Sequence, residues 1–207
     1  MNKNDYYIRP ETPADYREVE NLTREAFWNV YRPGCYEHYV LHCYRDRTDF
    51  VSELDFVMEQ DGKIIGHVMY VRGKINTDNG REIPMMTFGP ISIAPKYQRQ
   101  GYGKALLDYS IEKARELGVG VICMEGNIDF YGKSGFVVAS TKGIHYYAEP
   151  RNEEVPYFLL KELQEGFLDG ITGIYHTPDG YFHEEKEIED FDATFPPKEK
   201  LKLPGQL

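Results

Sequence analysis

A glycine-rich turn constrains this chain more than any other feature of its sequence. Residues 98–104 read QRQGYGK and lie between an apolar run that predicts a strand and a helical pattern that ends before Gly118. Glycine lets the backbone approach a ligand closely, and N–H groups at the start of a helix attract anions. The strand, turn and helix therefore predict an α/β fold with a phosphate-binding site at the start of the helix.

The residues around the glycines exclude two familiar phosphate-binding loops. A Walker A loop needs Ser or Thr after its Gly-Lys pair, but Ala105 follows Lys104. A dinucleotide-binding fingerprint needs a third glycine three residues after Gly103, where this chain has Leu106. The turn therefore belongs to another class of phosphate-binding site.

The remaining pattern predicts a mixed sheet of parallel and antiparallel strands. β-rich runs flank two hairpin-type dipeptides, Asp61-Gly62 and Asn79-Gly80. Strand and helix patterns over residues 91–124 predict a parallel βαβ unit. The predicted order up to about residue 140 is β-α-α-β-β-β-α-β-α-β, which indicates a mixed α/β fold rather than a strictly alternating one.

Composition argues against several kinds of partner. The 207 residues carry a net charge of −10, whereas nucleic-acid binding needs clustered Lys and Arg. The sequence has no apolar run of membrane-spanning length, and its start, MNKNDYYIRP, has no apolar signal segment. The odd number of cysteines, three, favours reduced thiols. We therefore expect a cytoplasmic protein that binds neither nucleic acid nor a membrane.

A second motif follows the turn at a fixed distance. Residues 130–136 read FYGKSGF, after the strand GPISIAPKYQ and the Gln-x-x-Gly-x-Gly turn. In order and spacing, these segments resemble the motifs of the GNAT superfamily of N-acyltransferases over residues 6–140. Many members carry an Asn seven residues before the Tyr, whereas Asn127 lies only four residues before Tyr131. This spacing predicts a shortened helix. A shortened helix of this kind resembles a bacterial subgroup of the family whose substrates are mostly unassigned.

The resemblance implies a GNAT fold for residues 1–150, with acetyl-CoA as co-substrate and its pyrophosphate in the turn. The pantetheine arm would lie along the preceding strand, where Gly89-Pro90 predicts a bulge. The residues that would bind acetyl-CoA are Ile91, Ser92, Ile93, Gln98, Arg99, Gln100, Gly101, Tyr102, Gly103 and Lys104.

The resemblance also implies catalytic residues. Tyr131 would be the general acid that protonates the departing CoA thiolate, since a phenol with a pKa of about 10 stays protonated at neutral pH. Glu125 ends the strand that leaves the βαβ unit, where ligands gather in such sheets, and is the candidate base. Two alternatives stay open, namely a chain of waters as the base and Glu125 as an ordinary surface residue.

The acceptor site and the possibility of a metal rest on the segment after the first helix. In the family this segment often lines the acceptor site, so Trp28, Tyr31 and Tyr36 are expected to form an aromatic wall for a small-molecule or peptide amine.

Four potential zinc ligands also lie here, but their spacing does not suit one site, and we expect no metal. They are Cys35, His38, His42 and Cys43. The sequence is compatible with a homodimer.

Residues 151–207 match no motif. The run VPYFLLKEL predicts a strand, and the residues around 178–180 predict a hairpin. We expect this C-terminal β extension to pack on the same domain, with a loosely held, extended tail beyond Glu184 because that stretch is charged and Pro-rich.

The predicted function is acetyl transfer from acetyl-CoA to a primary amine; the alternative is a non-catalytic acyl-CoA-binding or sensor module.

Overall fold

The structure, a computed structural model, describes residues 6–206 as two compact units. The first unit comprises residues 6–69, 90–107 and 179–206, and the second comprises residues 70–89 and 108–178. The strands are β1 (Tyr7–Pro10), β2 (Phe56–Gln60), β3 (Lys63–Thr77), β4 (Glu82–Ile93), β5 (Val121–Glu125), β6 (Val137–Val138), β7 (Ile144–Tyr146), β8 (Phe158–Glu162) and β9 (Gly173–Tyr175). The helices are α1 (Tyr16–Phe27), α2 (Glu37–Tyr44), α3 (Tyr102–Glu116), α4 (Ile128–Tyr131) and α5 (Glu185–Asp192).

The element order confirms the predicted order from β1 to β6. Three elements, β3, β4 and α3, begin in one unit and end in the other. Within residues 6–206, none of the helices has the length and apolar content needed to cross a bilayer.

In the first unit, β1, β2 and the start of β3 form an antiparallel meander. Ile8 pairs with Met58, and Phe56 pairs with Val68 across the predicted hairpin turn, which is confirmed. Buried residues of α1 and α2 include both apolar and polar side chains, and the two helices pack together.

Residues 185–192 of the C-terminal segment form the packed helix α5, so the expectation of an extended, loosely held tail is wrong for this part of the chain beyond Glu184. Ile188 and Phe195 are buried, and Asp192 accepts a hydrogen bond from Arg24 Nε at 2.6 Å. Arg24 is only 1% exposed, so this buried guanidinium needs the carboxylate that α5 supplies. Ile188 and Phe195 lie in an otherwise charged stretch of sequence. Their apolar side chains indicate a packed segment, which the overall composition of the stretch does not.

His38 on α2 is buried against the same segment, which makes stability depend on pH. Its ring lies 5.2 Å from that of Phe191 and 5.3 Å from that of Phe195, and its Nε2 lies 3.2 Å from Asp192 Oδ1. Burial lowers the pKa of His38 from 6.5 to about 4. The unfolded chain therefore binds a proton that the folded state does not bind between these two values.

As the pH falls from about 6.5 to about 4, we expect the free energy of unfolding of wild type to fall by about 1 to 3 kcal/mol relative to that of His38→Phe. The phenyl ring fills the same aromatic contacts but binds no proton. Urea unfolding of both proteins at a series of pH values measures the difference. Parallel stability curves would show that His38 does not titrate below its ordinary pKa.

The second unit contains a mixed sheet, which confirms the predicted mixed α/β fold. β4 pairs in parallel with β5 at Met86 and Ile122, whereas β8 pairs antiparallel with both β5 and β6. β9 pairs antiparallel with the end of β3 and in parallel with β7. The core of this unit is built from buried side chains that include Ile75, Val121, Cys123, Phe158, Leu160 and Tyr175.

The segment after residue 150 contributes an interior strand. The predicted strand is confirmed as β8, which lies between β5 and β6. The predicted hairpin around residues 178–180 is wrong, because β9 ends at Tyr175 and a 3-10 turn, Asp179–Tyr181, follows it. The domain boundary at residue 150 stays a prediction.

Candidate active site

The turn at residues 98–104 has an unusual backbone. β4 ends at Ile93, and α3 begins at Tyr102. Between them Arg99 has φ 59° and Gly101 has φ 94°, and a positive φ is uncommon for a residue other than glycine. Positive φ angles in a turn can direct successive N–H groups toward one point, as in a concave anion-binding surface. Binding of a diphosphate here, at the positive end of α3, stays a prediction.

Two glutamine side chains support this turn. Gln98 Nε2 donates to the Ile93 carbonyl at 3.0 Å, and Gln100 Nε2 donates to the Lys96 carbonyl at 2.8 Å. Both amides therefore hold the backbone of the turn in place. The sequence analysis named Gln98 and Gln100 as cofactor-binding residues; the structure gives their side chains this supporting role, and contact of their N–H groups with a ligand stays a prediction.

The polar side chain of the strand segment before the turn, that of Ser92, is buried rather than open to a ligand. Ser92 is buried, and its Oγ lies 3.0 Å from Thr23 Oγ1 on α1. Ile91 and Ile93 are half-buried. The Ser92 hydroxyl thus links β4 to α1, so any contact of these three residues with a pantetheine arm would come from main-chain groups and from the two isoleucines.

Tyr131 is held by aromatic neighbours in the second unit. Its ring centroid lies 4.9 Å from that of Phe130, 5.8 Å from that of Phe88 and 5.9 Å from that of Phe136. A Cβ added at Gly126 would lie 2.4 Å from Tyr131 Cε2, which real structures do not allow. Glycine at position 126 is therefore required for the observed position of the Tyr131 ring.

Asn127, whose spacing departs from the family pattern, has a local structural role. It is the N-cap of α4, and its Oδ1 accepts from the Asp129 N–H at 2.8 Å. Asn is a favoured N-cap residue because its side-chain oxygen satisfies an otherwise unpaired helix N–H group. Asn127 therefore fixes the start of the short helix that carries Tyr131.

Glu125, also in the second unit, ends β5 with a side chain that is partly open to solvent. Its Oε1 accepts from Thr177 Oγ1 at 2.8 Å, and Thr177 Oγ1 lies 3.2 Å from the Tyr146 hydroxyl. Partial burial by these neighbours raises the pKa of Glu125, while the hydrogen bonds from Thr177 and Tyr146 oppose that rise. A carboxylate with a raised pKa is a stronger base. Sequence reasoning missed Thr177 and Tyr146, because β7 and the segment after β9 carry no motif.

The three aromatic residues predicted to form an acceptor wall have separate partners. Trp28 Nε1 donates to the Glu199 carbonyl at 2.9 Å, and the Tyr36 hydroxyl donates to the Tyr181 carbonyl. Tyr31 is 51% exposed. The C-terminal segment therefore occupies the polar atoms of Trp28 and Tyr36, and a substrate-binding role for the three residues stays a prediction.

The four potential zinc ligands of α2 and its flank also have different neighbours. His42 Nδ1 lies 2.8 Å from Glu20 Oε1, and His38 faces Asp192. Cys35 is buried and Cys43 is half-buried.

Within residues 6–206, Glu11, Asp55 and His67 bring possible ligand atoms within 4.8 Å of one another. Arg45 already binds both Glu11 oxygens, through Nη2 at 2.6 Å and Nε at 3.0 Å. Burial raises the pKa of Glu11 to about 7 and lowers that of His67 to about 4. This group is a buried ionic network that contains its own cation.

The sequence was compared with protein-family models and with curated proteins. The model of the acetyltransferase (GNAT) family matches residues 19–136. No curated protein matches the sequence.

Three solved structures are similar to the chain. A GNAT family N-acetyltransferase (YhbS) from Escherichia coli, in complex with CoA, has 21% identity and a TM-score of 0.72, covering 85% of this chain and 91% of that chain. A GNAT family acetyltransferase from Brucella melitensis, in complex with acetyl-CoA, has 22% identity and a TM-score of 0.67, covering 86% and 98%. An acetyltransferase of the GNAT family from Staphylococcus aureus has 15% identity and a TM-score of 0.53, covering 77% and 99%. At these identities the likeness shows the fold.

Proposed function

Because the chain belongs to the GNAT acetyltransferase family, we propose that it transfers an acetyl group from acetyl-CoA directly to a primary amine. The observation that supports this proposal is the backbone of the turn before α3, where Arg99 and Gly101 have the positive φ angles that can direct N–H groups toward an anion. Two similar structures hold CoA and acetyl-CoA, which supports acetyl-CoA as the co-substrate.

The candidate residues have complementary roles in this proposal. Acetyl-CoA supplies a thioester as the acyl donor. The N–H groups of the turn bind its pyrophosphate, with Arg99 and Lys104 adding positive charge. Glu125 accepts the proton that the amine loses, directly or through a water, and its raised pKa suits it to that role. Tyr131 donates its phenolic proton to the sulfur as the carbon–sulfur bond breaks.

A thiol-release assay tests this function. Purified protein is incubated with acetyl-CoA and a panel of primary amines, and free CoA thiol is measured with a chromogenic disulfide. We expect amine-dependent thiol release, with intersecting initial-velocity lines because both substrates are bound when the acetyl group moves. CoA binding without thiol release for any amine would instead identify a non-catalytic acyl-CoA-binding module.

The close contact at Gly126 gives a further prediction. Gly126→Ala should lower kcat by about tenfold or more, because the new methyl group displaces the Tyr131 ring from its position. Gly132→Ala is the matched control, since a Cβ there would meet its nearest neighbour, Ile128, at an ordinary 3.5 Å. Thiol release at saturating substrates measures both variants. Equal kcat values for the two would show that the position of this ring does not matter to the reaction.

A further inference from the structure

Three tyrosines in the second unit form a partly exposed aromatic surface at the end of β7. The Tyr146 ring centroid lies 5.1 Å from that of Tyr147 and 5.8 Å from that of Tyr157. Tyr147 is 41% exposed and Tyr157 is 43% exposed. We call Tyr146, Tyr147 and Tyr157 the tyrosine rim. Large aromatic side chains that touch one another and remain open to solvent are typical of a binding surface.

The tyrosine rim connects the candidate base to a second carboxylate. On one side, Thr177 Oγ1 donates to Glu125 and lies 3.2 Å from the Tyr146 hydroxyl. On the other side, the Tyr157 hydroxyl donates to Glu149 Oε1 at 3.4 Å. The aromatic rings are thus bordered by carboxylates at both ends.

The loop that carries most of the tyrosine rim is acidic. Residues 147–157 contain three glutamates, and Arg151 is their single Lys or Arg residue. Arg151 Nη2 is paired with Asp78 Oδ1 at 2.8 Å, so the nearest cation of the loop is already engaged. An anionic ligand would be repelled here, whereas a cationic one would be attracted.

Aromatic faces and carboxylates together favour a cation. An ammonium group is attracted to a tyrosine face when it lies within about 6 Å of the ring centroid, and a carboxylate adds a charge-assisted hydrogen bond. A purely apolar ligand would use the rings but would not neutralise the negative charge of the carboxylates. The surface therefore fits a ligand with an alkyl body and positive charge.

We propose that the tyrosine rim is the acceptor subsite and that its ligand is an alkyl diamine. One amino group would lie at Glu125 as the group to be acetylated, and the second, still charged, would lie against Tyr157 and the side of Tyr147 that is not stacked on His176. This inference rests on the proposed acetyl transfer, and it deepens that proposal because it names the chemical class of the acceptor.

Calorimetric titration tests the subsite independently of turnover. Diaminopentane and pentylamine are each titrated into the full-length protein, with and without saturating CoA. The two probes differ only in the terminal ammonium group, so we expect diaminopentane to bind at least about tenfold more tightly. Tyr147→Leu should remove most of this difference. Tyr7→Leu is the matched control, because Tyr7 is 61% exposed and lies in the first unit.

The outcomes separate the two proposals. Equal affinity for the two probes, or the same preference in Tyr147→Leu as in wild type, would overturn the diamine subsite. Tighter binding of a lysine-containing peptide than of diaminopentane would overturn the choice of a small diamine. A preference for diaminopentane that Tyr147→Leu abolishes supports the subsite even if no amine is acetylated, in which case only the proposed function fails.

Discussion

Tyr131→Phe is expected to lower kcat by about 100-fold or more and to change the affinity for acetyl-CoA little. The substitution removes only the hydroxyl, so the ring keeps its contacts with Phe88, Phe130 and Phe136. A loss confined to kcat is the signature of an interaction used in the transition state, as a proton donor to the leaving thiolate would be. The ring packing alone predicts no such loss.

Thiol release at saturating substrates gives kcat, and calorimetric titration of CoA gives the affinity. Tyr7→Phe serves as the control, because it removes the hydroxyl of an exposed tyrosine in the first unit. If Tyr131→Phe and Tyr7→Phe retained the same kcat, Tyr131 would be a packing residue and the general acid would have to be sought elsewhere.

Gly101→Val is expected to weaken CoA binding by about 100-fold or more. Gly101 has φ 94°, where a β-branched side chain is strained by about 1 to 2 kcal/mol, so the turn would rearrange. Loss of one or two charge-assisted hydrogen bonds to the pyrophosphate, each worth about 1.5 to 3 kcal/mol, accounts for the expected effect.

Gly80→Val is the matched control for this variant. Gly80 has φ 83°, and a Cβ at either glycine would meet nothing within 4 Å. Both substitutions should therefore cost similar free energy of unfolding, whereas only Gly101→Val should weaken CoA binding in a calorimetric titration. Equal CoA affinity in the two folded variants would contradict the assignment of the turn as the pyrophosphate site.

The sequence predicts best those features that depend on neighbouring residues. The strand–turn–helix around residues 98–104 follows from local glycine and helix signals, and so does the hairpin at Asp61-Gly62. Tyr131 is a candidate because its motif lies at a fixed distance along the chain from the turn, and its role stays a prediction. These signals lie within short stretches, so one sequence is enough to detect them.

Contacts between distant segments could not be predicted in this way. Glu125 and Thr177 are 52 residues apart, and nothing in either segment indicates the other. The antiparallel pairing of β8 with β5 is likewise long-range. Beyond Glu184, charge and prolines predict a loosely held, extended tail, whereas Ile188 and Phe195 are buried. In each case the decisive information is a tertiary contact rather than a local preference.

The most direct test of acetyl transfer is to follow the acetyl group itself. The protein is incubated with acetyl-CoA labelled with carbon-13 in the acetyl group and with diaminopentane, and the products are measured by mass spectrometry alongside the released thiol. We expect one labelled N-acetyl group on the amine for each free CoA thiol, at a rate that Tyr131→Phe lowers by about 100-fold. Thiol release without labelled amine, or no release while CoA binds tightly, would contradict acetyl transfer to an amine by this protein.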